Sequence, residues 1–189
     1  MPSHHNLIRT LKEYGNISNE EEYLIKKHFR FASLKKNEIF KSRYSNNIIF
    51  VNSGLLRAFV EDQKGTVCTR IIAWENRFLT NITTFKHFNS SDEIIEALEN
   101  SEIIYIEKDF FYQLLSTCPN LNSIYLNILS EYNELYIKKY FLYACKSLKE
   151  KILFLKDNFP HLIKRTNDTI LASFLGVSRE SYVRGKKYL

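Results

Sequence analysis

The 189-residue chain is poor in the residues that interrupt or staple a fold: five Gly, three Pro and three Cys. The cysteines (Cys68, Cys118 and Cys145) are odd in number and far apart, which suits reduced thiols in a cytoplasm better than a disulfide frame. No cluster of four thiolates is present to hold an iron–sulfur centre. No apolar run approaches the roughly 20 residues that span a bilayer. The opening MPSHHNLIRTLKEYG lacks the unbroken apolar core of a signal peptide. A cytoplasmic protein with no membrane partner is therefore expected. The histidines (His4, His5, His28, His87 and His161) never form an H-x-H pair within a strand, and Glu75 has no histidine neighbour with which to share a metal. A Gly-rich phosphate loop and a nucleophile elbow are also missing. Glu96 and Glu99 read as the solvated face of a strand. Neither an enzyme nor a metal or other cofactor is expected.

The chain does contain many aromatics, 14 Phe and 12 Tyr, within an ordinary balance of 44% hydrophobic and 25% charged residues. Its formal charge is +6. Up to Cys145 the bases and acids cancel. From Lys146 to Leu189 ten Lys and Arg face only four acids, so the last 44 residues carry the whole excess. Such asymmetry points to a polyanionic partner for the C-terminal part.

Residues 6–14 and 19–30 have helical character, the second stretch opening on Ser18 and Glu21 as a capping box. From about Glu38 the period changes. Short β-branched or aromatic runs at 39–40, 48–51, 55–60, 67–74, 94–98 and 103–106 are separated by the turn signals Ser45-Asn46-Asn47, Asn52-Ser53-Gly54, Asp62-Gln63-Lys64-Gly65 and Glu99-Asn100-Ser101. Strands this short, with no helices between them, predict an antiparallel roll or barrel. Its aromatic interior (Phe50, Phe59, Trp74, Phe78, Phe85, Phe88) reads as core. After Pro119 nearly thirty residues run without Gly or Pro. Leu121, Tyr125, Ile128, Tyr132, Leu135 and Leu142 form a heptad seam broken once by Lys139. A second stripe (Leu126, Leu129, Tyr136, Tyr140, Tyr143) lies on another face. Two apolar faces need two partners: the chain's own roll and a second copy, the seam being assigned to the copy. A shorter helix at about 147–158 ends at Pro160.

The last stretch, DTILASFLGVSRESYVRGKKYL, predicts two helices joined at Gly176, the first capped by Asp168 or Thr169 and the second by Ser178. Leu171, Ala172, Leu175, Val177 and Tyr182 fall where such a pair needs apolar contacts. Arg179, Glu180, Arg184, Lys186 and Lys187 are left for the outside. Arginine can bridge guanine O6 and N7, and glutamate can accept from cytosine N4. The tip of a recognition helix is where bases are read. Arg179, Glu180 and Arg184 are therefore assigned to bases, and Lys186 and Lys187 to phosphates, with Thr169 and Ser178 at the same surface.

This C-terminal segment resembles the DNA-binding part of the cyclic-AMP receptor / fumarate-nitrate regulator (Crp/Fnr) family. The family's Ser-Arg-Glu start and following arginine are matched by Ser178, Arg179, Glu180 and Arg184, counted as Arg-Glu-x-x-x-Arg from Arg179. Upstream, NSGLLRAF (Asn52–Phe59) and EALENSEIIYI (Glu96–Ile106) agree in order and length. The resemblance implies an α+β chain. A cyclic-nucleotide-binding-like β-roll (double-stranded β-helix or jelly roll) with flanking helices would span 1–118. A long dimerisation helix would span 119–146 and a winged-helix-like helix-turn-helix 147–189. It also implies a homodimer on a palindromic double-stranded DNA site, a small-molecule effector in the roll and contact with RNA polymerase. The stretch corresponding to the family's nucleotide pocket is Phe78, Leu79, Thr80 and Asn81 with Ser91 and Asp92. It has no arginine and two nearby acids, so cyclic AMP is not the expected effector. Gly185 stands where the family pattern has a large apolar residue, which predicts a lost contact in the second helix. Nothing after that helix is expected to brace it.

Overall fold

The structure is a computed structural model that describes residues 3–40, 47–80 and 93–189. In chain order it forms α1 (His5–Tyr14), α2 (Asn19–His28), β1 (Arg30–Leu34), β2 (Asn47–Ser53), β3 (Leu56–Glu61), β4 (Val67–Ala73), β5 (Phe78–Thr80), β6 (Ile94–Ala97) and β7 (Ser101–Glu107). The helices α3 (Lys108–Thr117), α4 (Pro119–Cys145), α5 (Leu148–Asn158), α6 (Pro160–Arg165), α7 (Asp168–Leu175) and α8 (Arg179–Gly185) follow, then a 3₁₀ turn at Lys186–Tyr188. The α+β class agrees with the sequence reading. Among the described residues no helix is long and apolar enough to cross a membrane.

Packing groups the chain into two compact units. The first comprises residues 1–58 and 72–130, the second 59–71 and 131–189. The first unit holds a four-stranded sheet in the order β1-β7-β2-β5, and a three-stranded sheet runs β4-β3-β6. The pairs β1–β7, β2–β7 and β2–β5 are antiparallel. In β2, Ile48, Ile49, Phe50 and Val51 are all buried, the signature of a strand covered on both faces. Phe50 lies opposite Ile104 of β7 and Phe78 of β5, its ring 5.1 Å from that of Phe78.

Three departures from the sequence reading belong to this unit. Strand β1 was not foreseen: RFASL has an uneven burial pattern and lies at the sheet edge, so it lacks the clean alternation that marks a half-buried strand. Ile39 contributes only an isolated bridge to Glu96. Glu96 is not on a solvated face; its carboxylate meets Arg57 Nη2 at 2.6 Å with both side chains largely buried, whereas Glu99 sits at the turn before β7.

Of the expected pocket, Phe78 and Leu79 are buried on β5 and Thr80 Oγ1 donates to the Asn47 carbonyl. Asn81, Ser91 and Asp92, with Phe85 and Phe88, lie outside the described residues.

The capping box at α2 is present, and its Glu21 does more than cap. The carboxylate accepts from Ser18 N at 2.9 Å, from Asn120 N at 3.0 Å and from Asn120 Nδ2 at 2.9 Å, so it also closes the first turn of α4. Burial pushes its pKa up, but the donors from Ser18 and Asn120 outweigh this and hold it below the usual carboxylate range.

The residues of the expected intersubunit seam on the long helix differ in their burial within the chain. Leu121, Ile128 and Leu142 of the expected intersubunit seam are buried in the chain itself. Tyr125 is half-buried, edge-on to Phe111 at 5.0 Å, and Tyr132 is half-buried. Only Leu135 of the six is exposed. On the opposite side Leu126, Ile137, Tyr140 and Phe141 are open to solvent. Both stripes are apolar, so periodicity alone does not decide which one is buried within the chain.

Candidate nucleic-acid interface

The site is built on two short helices of the second unit. Helix α7 starts one residue before the expected caps: Asn167 is the N-cap, its side chain accepting from Ile170 N at 2.9 Å. This leaves Asp168 free for another task and Thr169 exposed in the first turn. The helix ends at Gly176 in the left-handed region, φ 63° and ψ 44°. A side chain there would be strained and would lie 3.2 Å from the Tyr143 ring. Ser178 opens α8, accepting from Ser181 N at 3.1 Å. Ile170, Leu171, Ala172, Phe174, Leu175 and Tyr182 fill the core between the helices. Burial, with Asp168 nearby, pushes the Tyr182 phenol up to about 12, so it packs as a neutral ring.

Gly185 reverses its expected role. It is buried, and an added Cβ would stand 2.9 Å from Ile152 Cγ1 and 3.5 Å from Leu148 Cδ1 on α5. The glycine is thus the point where α8 approaches α5, not a missing contact. Alanine at this position gains about 1 kcal/mol of helix propensity, but overpacking costs about 1–3 kcal/mol. Gly185→Ala should therefore lower the urea midpoint slightly, and combining it with Ile152→Ala should cost less than the two losses added. Strict additivity would remove the close-approach account.

At 100° per residue, Arg179, Val183, Glu180 and Arg184 occupy about 140° of the helix, and all four are exposed. Tyr182 and Gly185 fall on the other side and are buried. The structure thus brings together Arg179, Glu180 and Arg184 as expected. Arg184 is steadied by a 3.2 Å hydrogen bond from Nη2 to Ser181 Oγ. Val183, 43% exposed, shares this face and was not picked out from the sequence. An apolar residue on a charged surface was the signal that would have found it.

The two lysines part company. Lys187 is exposed beside the Tyr188 ring at 5.1 Å. Lys186 Nζ pairs with Asp168 at 2.7 Å, tying the exit of α8 to the first turn of α7, where a carboxylate also suits the helix dipole. The 3₁₀ turn is held as well: Lys149 lies over the Tyr188 ring and Lys156 Nζ is 3.5 Å from the Tyr188 carbonyl. The second helix is therefore braced from α5.

The same unit contains the tip of the β3–β4 hairpin. Thr69 N donates to Ser173 Oγ of α7 at 2.8 Å, and that hydroxyl donates to the Val67 carbonyl at 2.7 Å. Lys139 Nζ on α4 donates to the Thr69 and Arg70 carbonyls at 3.0 and 2.5 Å, and lies 4.1 Å from the centre of the Phe174 ring. Tyr143 Oη donates to the Phe174 carbonyl at 2.6 Å. The lysine that broke the apolar seam in the sequence is thus a cross-brace between hairpin and α7.

No protein-family model matches the sequence, and no curated protein matches it either. Solved structures do. FixK2 from Bradyrhizobium japonicum matches with TM-score 0.67 at 11% identity, over 84% of this chain and 83% of that one. A transcriptional regulator from Eubacterium rectale, assigned to the Crp/Fnr family, matches with TM-score 0.67 at 15% identity, over 91% and 83%. The c-di-GMP-responsive global regulator CLP from Xanthomonas campestris matches with TM-score 0.67 at 15% identity, over 90% of both chains. The chain has the fold of the Crp/Fnr transcription regulators.

Proposed function

We propose that this protein is a sequence-specific DNA-binding transcription regulator that acts as a homodimer on a palindromic site. In this reading α7 and α8 form a helix-turn-helix, and α8 enters the major groove. The observation that carries it is the exposed face of α8, where two arginines and a glutamate share one side of a helix whose other side is buried. The excess of basic charge lies in the same segment, where a polyanion's field would be met. Arg179, Glu180 and Arg184 read base edges, and Lys187 contacts phosphate. Lys186, engaged by Asp168, braces the helix pair and contributes less to the salt dependence. RNA polymerase and a small-molecule effector other than cyclic AMP are the further partners.

The test is a set of binding isotherms on a duplex selected from a random pool and on a scrambled one, at several salt concentrations. A bidentate base contact is worth about 1–3 kcal/mol of discrimination. Arg179→Ala should remove most of the preference while leaving scrambled binding nearly intact. Lys187→Ala should weaken both duplexes alike and shallow the salt slope by about one phosphate per subunit. Adding cyclic AMP should change none of the curves. Equal loss on both duplexes for Arg179→Ala refutes the base-reading assignment.

A further inference from the structure

The exposed face of α8 contains one residue with no charge to offer. Val183 is 43% exposed, whereas its neighbour Tyr182 is fully buried. At about 100° per residue it lies about 40° from Arg179 and about 60° from Glu180, inside the arc rather than at its rim. Fold stability does not account for it. The core of the helix pair is complete without it, and valine is a poor helix former at an exposed site. Surrounded by Arg179, Glu180 and Arg184, it cannot serve an extended apolar interface, which would exclude charges from its centre. The major groove offers a single apolar feature, the C5 methyl of thymine, and small aliphatic side chains meet it by contact alone.

We propose that Val183 is a specificity-determining residue that selects thymine in each half-site by packing on its C5 methyl, between the bases read by Arg179 and Arg184. This rests on the DNA-reading proposal above. Its recognition is steric and apolar, so it differs from the arginines in being insensitive to salt and sensitive to a single methyl group.

The experiment uses the full chain and duplexes it recovers from a random pool. Each thymine of the half-site is replaced in turn by deoxyuridine, which keeps every hydrogen-bonding group and removes only the methyl. Wild type should lose about fourfold in affinity at one symmetry-related position, the change expected for one buried methyl-sized group, and little elsewhere. Val183→Ser should bind thymine and deoxyuridine alike at that position. Val183→Thr, which keeps one methyl at nearly the same volume, should retain part of the difference. The slope of log affinity against log salt should be the same for all three proteins.

Two results overturn the proposal with DNA reading intact: equal wild-type binding to every deoxyuridine duplex, or an unchanged methyl preference in Val183→Ser. Failure of the wild type to recover any preferred sequence is a different result, and it removes the DNA-reading proposal together with this one.

Discussion

Lysine at both Ile137 and Tyr140 should convert the proposed homodimer to monomers and weaken the proposed DNA binding by about 10²–10⁴-fold, because two linked half-site contacts become one. The basis is the solvent side of α4. Leu126, Ile137, Tyr140 and Phe141 are 57%, 48%, 68% and 55% exposed. Together with Ser130, Asn133 and Ala144 they lie within about 100° of helix arc. Leu126, Ser130, Asn133, Ile137, Tyr140 and Ala144 step by four and three, the spacing that knobs-into-holes packing requires. Exposed large apolar side chains grouped on one helix face mark an interaction site, and the proposed palindromic site supplies the two-fold symmetry for an isologous contact. Each apolar side chain buried there contributes about 1.5–3 kcal/mol, and a lysine in its place must keep its ammonium wet. Sedimentation at micromolar concentration should show the double variant as a monomer with unchanged circular dichroism. Ile128→Lys serves as the contrast. Its side chain is buried in the chain, so this change should unfold the protein rather than split it. A double variant that stays dimeric would place the interface elsewhere.

How far the sequence leads depends on which physical signal each element carries. The roll was legible because Ile48–Val51 and Ile103–Ile106 are apolar runs bounded by turn residues, whereas β1 was not, since an edge strand need not alternate. The helix pair was legible because Gly176 and Ser178 encode its turn chemically. The surface of α8 was legible only in its charged half: arginine announces a polyanion, while Val183 resembles core until its exposure is known. The two faces of α4 are visible in the periodicity, but nothing in it decides which one the chain buries itself, so assigning the seam to a second copy went beyond the signal. Ser130 and Asn133 dilute the stripe left in solvent, and the richer stripe was spent on the chain's own core. Gly185 was misread for a related reason. Helix propensity counts a mid-helix glycine as a loss, and only the 2.9 Å approach to Ile152 shows the packing gained.

The stability of the protein should rise between pH 7 and pH 9, and Lys139→Met should abolish most of that rise. Burial pulls the Lys139 amine down from 10.5 to about 7, with the Cys68 thiol acting upward and the Arg70 guanidinium downward. Arg70 is itself engaged by the Tyr136 hydroxyl, and Tyr143, whose phenol burial pushes upward, lies 5.2 Å from Lys139 Nζ and carries Lys151 on its ring at 5.7 Å. Two N–H groups suffice for the Thr69 and Arg70 carbonyls, so the neutral amine keeps both hydrogen bonds. The folded-state pKa is depressed, so between about 7 and 10.5 the unfolded chain holds the extra proton and stability climbs with pH. The limiting slope for one group is about 1.4 kcal/mol per pH unit. Below pH 7 both states are protonated, the slope vanishes and the full penalty remains. Methionine carries no proton, fills similar volume and leaves two carbonyls short of a donor, at about 1 kcal/mol each. Urea unfolding at pH 6.5, 7, 8 and 9 should show the wild type gaining on Lys139→Met by about 2 kcal/mol from pH 7 to pH 9. The pattern should persist in a Cys68→Ser background, which removes the neighbouring thiol. Parallel curves for the two proteins would mean that the amine stays protonated in the fold, held by the carbonyls and the Phe174 ring, and that the hairpin brace is ionic throughout.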